Sequence, residues 1–179
     1  MSIRIPLPTD EQLPASARKI LGNLPPANVF RMVANAPSSL AGFVQLAGSI
    51  LLQSELDGRL REIAVLRVAH VTGSRYEREQ HIRIAAQMGV TTAEMALLAT
   101  DSPVQGLGEK ELLVCRAAEE ISRDVRLSDE ALSALLATFG QRQTTELILC
   151  CAYFNMLSRF LESTRVELDA DLDRLHAEA

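Results

Sequence analysis

Glu62, His70, Glu77 and His81 are the side chains of this protein best suited to moving protons, and they fall within the single stretch EIAVLRVAHVTGSRYEREQH. The chain holds only three histidines, and two of them are here. Glu62 and His70 are eight residues apart on an apolar segment, so a helical period of 3.6 puts them two turns apart on one face, together with positions 66, 69 and 73. Arg61 and Arg67 should point elsewhere. A glutamate facing a core is costly unless paired, and desolvation raises its pKa towards the range useful for proton transfer. Glu77 and His81 are i, i+4 neighbours, a spacing at which a carboxylate favours the imidazolium and orients the ring. Tyr76 adds a phenol at the same turn. Ser74 is in position to cap the next helix, which would commit its hydroxyl to backbone N–H groups.

Each of these features also has an ordinary reading. A Glu-x-x-x-His pair is common on helix surfaces, His70 alone fits a core histidine, and Tyr76 alone fits a packing residue. The Glu77–His81 spacing supplies two metal ligands, but no third or fourth is evident, so no metal is expected. His176 sits far away in a polar tail. Gly-rich phosphate loops and the GxSxG nucleophile motif are absent.

The elements that must hold these residues are helical. The 179 residues suit one domain with a short arm, and the 47% apolar content fills a core of Leu, Ile, Val, Ala and Met, with 4% aromatics and no tryptophan. Residues 1–8 read as an extended arm with prolines at 6 and 8. Thr9-Asp10-Glu11 starts a helix that Gly22 ends. Pro25-Pro26 starts a second and Pro37-Ser38-Ser39 a third, LAGFVQLAGSILLQSEL, apolar on more than one face and therefore central or at a subunit contact. Asp57-Gly58 is a turn. Helices follow over 59–72 and 74–88, the latter stopped at Met88-Gly89-Val90 with glycine in the C′ position. Thr91-Thr92-Ala93-Glu94 is a capping box for a short helix to about Thr100. A loop spans Asp101 to Gly108. Helices are expected at 109–123, at 128–138 with Ser128 as N-cap, at 141–163, and in a polar tail over 167–178. No segment alternates with period two, so the fold is all-α. A weak echo relates Glu62 and Ser74-Arg75-Tyr76 to Glu146 and Ser158-Arg159-Phe160, and LLAT recurs at 97–100 and 135–138, as a duplicated helical hairpin would give.

Composition excludes several functions. A net charge of −5, with no dense basic stripe, argues against nucleic acid as the partner. No apolar run approaches the roughly 18 residues of a membrane span, and MSIRIPLPTD lacks the pattern of a secretory leader. Cys115, Cys150 and Cys151 form no CxxC and no disulfide framework, which fits a reducing cytoplasm and small buried hydrophobes.

Residues 60–98, LREIAVLRVAHVTGSRYEREQHIRIAAQMGVTTAEMALL, resemble the carboxymuconolactone decarboxylase family, which includes the alkyl hydroperoxidase D proteins. The "RE" opening, the "YE" before the histidine and the "GVTTAEM" exit carry the likeness together, and it continues more loosely to about Leu168. The resemblance implies an all-α fold built on a helical hairpin and a homo-oligomer, a trimer or hexamer with a dimer as the smaller alternative. It divides the chain into an N-terminal arm and extension (1–37), the family domain (38–168) and a polar tail (169–179). In the hydroperoxidase branch a glutamate, a CxxC and a histidine relay protons to a peroxide-reducing thiol. The glutamate position falls on Glu62, the histidine on His81, the two cysteines on Ser74 and Glu77, and the intervening polar residue on Tyr76. The relay ends are kept and the redox centre is missing, and a serine and a carboxylate cannot carry thiol–disulfide exchange. The decarboxylase branch also lacks the CxxC.

The expectation is therefore a cofactor-free lyase or isomerase acting on a small anionic metabolite of lactone type. Glu62, Tyr76, Glu77 and His81 are the catalytic candidates, and Ser74, Arg75, His70 and Arg159 the substrate-binding candidates. Two alternatives stand beside it: a peroxidase using a cysteine elsewhere, and a non-catalytic small-molecule binder.

Overall fold

The computed structural model describes residues 3–170. His176 and most of the expected tail helix lie outside the described residues, and residues 166–169 are not helical. Every regular element among the described residues is helical, and their ends follow the punctuation of the sequence closely. The helix expected from Thr9 is an exception. It is a single 3₁₀ turn, Asp10–Gln12, after which Leu13 turns extended. Pro14 is the cause, because the residue before a proline is pushed out of helical conformation. Helix α1 (Ala15–Leu21) then starts afresh behind it.

The chain divides into two units, residues 1–52 with 160–179, and residues 53–159. Within the first unit α3 (Pro37–Leu52) packs on α1 and on α2 (Asn28–Val33). The core of that unit joins Leu13, Ala17, Val33, Ala34 and Leu40, with Phe43, Val44 and Phe160 against it. Only Leu40 and Ile50 of α3 are buried, while Leu46 and Leu52 are exposed. The helix carries no charged residue, so it is peripheral in its unit and apolar towards solvent.

The second unit is built around α4 (Gly58–Thr72), which α5 (Arg75–Gln87), α6 (Thr92–Leu98) and α7 (Glu109–Asp124) all contact. Asp57 caps α4 by accepting a hydrogen bond from the Leu60 N–H at 3.0 Å. From Leu60 to Ala69 every residue of α4 is buried, including Arg61, Glu62 and Arg67. A helix enclosed in this way has no outer face on which to leave its charges.

Gly73, at φ 70°, ends α4, and the Ser74 N–H bonds back to the Ala69 carbonyl. This left-handed turn folds α5 against α4, so the expected hairpin is present. Gly89 closes α5 similarly, with the Val90 N–H on the Ala85 carbonyl. The last helix among the described residues, α8 (Asp129–Thr164), is broken at Gly140, whose φ of 70° and ψ of 178° only glycine adopts easily. Two limbs result, as the sequence implied. The echo does not extend to a duplicated hairpin: Ser74 precedes a new helix, whereas Ser158 lies inside the second limb of α8.

Candidate active site

The α4–α5 hairpin brings Glu62 and His81 into direct contact. His81 Nδ1 lies 2.7 Å from Glu62 Oε2, and Glu62 is 0% exposed. An ionised carboxylate only accepts, so Nδ1 carries the proton and donates it to Glu62. Arg61 Nε donates to the other oxygen of Glu62 at 3.1 Å. Arg61 thus belongs to the site, against the expectation that it points elsewhere. Its long stem curls back over its neighbour, which backbone periodicity alone does not reveal.

The other nitrogen, His81 Nε2, faces Glu77 Oε2 at 3.7 Å, too long for a hydrogen bond but close for two charges. His81 is 6% exposed and Glu77 3%. The imidazole is therefore held between two buried carboxyl groups with contrasting partners.

Their proton affinities diverge accordingly. Burial works to raise the Glu62 carboxyl, but His81 and Arg61 outweigh it and hold the group below its usual range. Burial dominates at Glu77, with Glu62 adding to it against the pull of His81, and raises its pKa to about 7. For His81, burial favours the neutral ring, but Glu62 and Glu77 prevail and its pKa is raised. Carboxyl groups pushed apart in this way mark distinct acid–base roles.

The start of α5 departs from local rules. Ser74-Arg75-Tyr76-Glu77 has the spacing of a capping box. Thr91 and Glu94 close such a box at α6, with Glu94 N–H to Thr91 Oγ1 at 3.2 Å and Thr91 N–H to Glu94 Oε2 at 2.8 Å. At α5 the box is not made. Ser74 sits at the N-cap without a side-chain cap bond, and its buried Oγ has no partner among the described residues. The expectation that capping would occupy this hydroxyl is overturned, because Glu77 is drawn inward by His81 and Ser74 is left alone. Local rules broken at one spot are characteristic of functional sites.

The other candidates separate. Tyr76 is buried beside the site and its Oη accepts from Gln80 Nε2 at 3.4 Å. Arg75 is exposed at the first position of α5. Arg159 is engaged elsewhere, with Nη1 donating to Asn155 Oδ1 at 2.6 Å and Nη2 to the Ser122 carbonyl in the last turn of α7 at 3.3 Å. His70 lines a different cavity, between α4, α5 and α6. Among the described residues no group of three or more His, Cys, Asp or Glu side chains is arranged to hold a metal ion.

Residues from the second limb of α8 complete the surroundings. Phe154 packs edge-on against the His81 ring at 4.9 Å, and Tyr153 packs edge-on against Phe154 at 5.2 Å. Burial and the nearby Glu77 charge raise the Tyr153 phenol. The run LILCCAYF gave no sign of this role, since an aromatic in an apolar helix reads as core. The cysteines are free and buried. Burial pushes the Cys115 and Cys151 thiols up to about 12, and Cys150, close to Glu62 and Arg61, is raised further above its ordinary value.

The sequence model described as the carboxymuconolactone decarboxylase family matches residues 37–120. Over that segment the chain is similar to this family. Its fold is shared by an uncharacterised peroxidase-related protein from Silicibacter sp., at a TM-score of 0.81 and 18% identity, covering 94% of this chain and 93% of the other. An alkylhydroperoxidase AhpD core protein from Ralstonia eutropha, also called peroxidase-related, gives a TM-score of 0.81 at 16% identity over the same shares. A protein of unknown function from Agrobacterium tumefaciens gives 0.68 at 16% identity, over 77% of this chain and 95% of its own. At these identities the likeness is one of fold. Comparison with curated proteins gives no match. No described helix is long and apolar enough to cross a membrane.

Proposed function

We propose that this chain is a cofactor-free acid–base enzyme, a lyase or isomerase acting on a small carboxylated metabolite of lactone type. The observation that carries the reading is the imidazole of His81 held between Glu62, kept ionised, and Glu77, poised near neutral pH. Glu62 fixes the tautomer and orientation of His81, as an acid behind a histidine commonly does. Glu77 and His81 exchange a proton with substrate. In a decarboxylation the bond from the carboxylate carbon to the ring breaks, carbon dioxide leaves, and the electron pair remains as a dienolate. The Glu77–His81 pair then supplies the proton that quenches it. In an isomerisation the same pair removes one proton and returns it at another carbon.

The thiol-peroxidase alternative has the names of two fold neighbours behind it. Against it stand three buried thiols whose raised pKa values suppress the nucleophilic thiolate. We further propose a homo-oligomer, supported by the uncharged α3 with Leu46 and Leu52 exposed.

The test is a panel of γ-lactone carboxylates followed by NMR in heavy water, reading carbon dioxide loss and deuterium incorporation. Turnover by the native protein, abolished in a His81→Gln variant that keeps its fold and assembly, supports the reading. Equal turnover by that variant overturns it. Hydroperoxide reduction that stops on thiol alkylation would put the peroxidase in its place.

A further inference from the structure

A groove runs between α4, α5 and α6. It encloses a cavity of about 240 Å³, smaller than sites for drug-sized ligands. Leu66, Ile82, Met95 and Leu98 give it an apolar wall, while His70 and Arg78 supply charge-capable groups. Positions 66 and 70 continue the α4 stripe begun by Glu62, and positions 78 and 82 each follow a relay residue on α5. Along a helix, one step turns a side chain by about 100°, so the cavity and the relay use adjacent but different faces of α5.

Two features point to what this cavity would hold. First, neither ring nitrogen of His70 makes a hydrogen bond among the described residues, although the ring is half-buried against the cavity. Second, the charges facing His70 are mostly positive. They are Arg67 on its own helix, Arg78 on α5 and Arg123 on α7, against one acid, Asp101, in the loop after α6. Glu119 neutralises Arg67 at 2.6 Å and lies 3.7 Å from Arg123. Among the described residues Arg78 has only a pair at 3.0 Å with Glu79, the adjacent residue, both part-exposed. Neighbours in sequence do not face each other on a helix, and such surface pairs are weak. An apolar cavity with an imidazole and a guanidinium at its edge suits a compact hydrophobic body bearing one carboxylate.

We propose that the α4–α5–α6 cavity is a second small-molecule site, binding a compact apolar monocarboxylate through Arg78 and His70, separate from the Glu62–His81–Glu77 site. The apolar body lies on Leu66, Ile82, Met95 and Leu98. The carboxylate meets the Arg78 guanidinium and accepts from the His70 ring. Because burial and the surrounding arginines depress the His70 pKa, carboxylate binding takes up a proton, and affinity rises as pH falls through the titration of that ring.

Benzoate is the probe, with benzyl alcohol as its neutral counterpart, measured by calorimetry on the full chain at about pH 6 and about pH 8. Benzoate should bind at least about tenfold more tightly than the alcohol, the factor expected of a charge-assisted contact, and more tightly at the lower pH. Arg78→Gln should remove that preference and leave the alcohol unaffected. Met95→Trp, which fills the cavity, should abolish both, and His81→Gln should change neither. Equal affinity for acid and alcohol, full benzoate affinity in Met95→Trp, or loss of binding in His81→Gln would each overturn the proposal, the last by placing the ligand at the relay. If native protein binds no benzoate and Met95→Trp lowers its mass in solution, the cavity is a subunit contact and the proposal also falls.

Discussion

Two buried charged clusters hang on α4, one around Arg67 and one around Glu62, and they are built on opposite plans. Arg67 is 0% exposed, yet its guanidinium is fully engaged. It donates to Glu119 at 2.8 Å, to the carbonyls of Leu98 and Thr100 at 2.8 and 2.6 Å, and to Ser102 Oγ at 2.8 Å. Every partner is an acceptor suited to a permanent cation. The Glu62 cluster lines up three groups that all titrate, leaves His81 Nε2 short of a hydrogen bond, and leaves Ser74 Oγ orphaned beside it. Equal burial on one helix thus serves two ends. Saturation of hydrogen bonds makes a clamp for the chain from Leu98 to Ser102, and incomplete saturation keeps protons exchangeable.

The contrast can be broken from either side. Arg67→Ala has the largest expected effect, a loss of about 3–5 kcal/mol in urea unfolding, because part-buried Glu119 loses its ion-pair partner and the Leu98 and Thr100 carbonyls lose their donor. A loss below about 1 kcal/mol would mean the clamp is dispensable. Glu77→Gln comes next, and with the opposite sign. The native carboxyl holds its proton up to about pH 7 whereas an unfolded one releases it near pH 4.5. The native state therefore loses stability as pH rises between those values, by about 3 kcal/mol in all. The variant should be more stable than the native protein above pH 7, and that gain should disappear below about pH 4.5. A pH-independent difference would remove Glu77 from its assigned role. Glu62→Gln should lower the His81 pKa in an NMR titration, since the Glu62 carboxylate is the chief group raising it. The smallest effect belongs to Arg142→Ala. Arg142 pairs with Glu55 at 2.6 Å and Glu146 at 3.2 Å, but it is 63% exposed, and a change of less than about 0.5 kcal/mol is expected.

The same contrast explains what could be read from the sequence. Helix periodicity, Asp57 and Gly89 gave element ends, because caps and left-handed turns are local chemistry. The Glu62–His81 pairing was legible through the family resemblance, and the hairpin makes it physical. Other features depend on tertiary distance. Arg61 turns back onto Glu62, and Arg159 is taken by Asn155 and the end of α7. Phe154 reaches His81 from a segment with no sequence mark other than apolarity. Ser74 read as an ordinary cap because its spacing to Glu77 is right, and only the pull of His81 on Glu77 undoes it.

That unmade cap has a kinetic consequence. A helix whose first turn lacks its side-chain acceptor frays from that end, and its leading amides exchange with solvent sooner than those of a capped neighbour. Tyr76 and Glu77 ride on that turn. Amide exchange should therefore be faster at the start of α5 than at the start of α6, where Thr91 and Glu94 close their box.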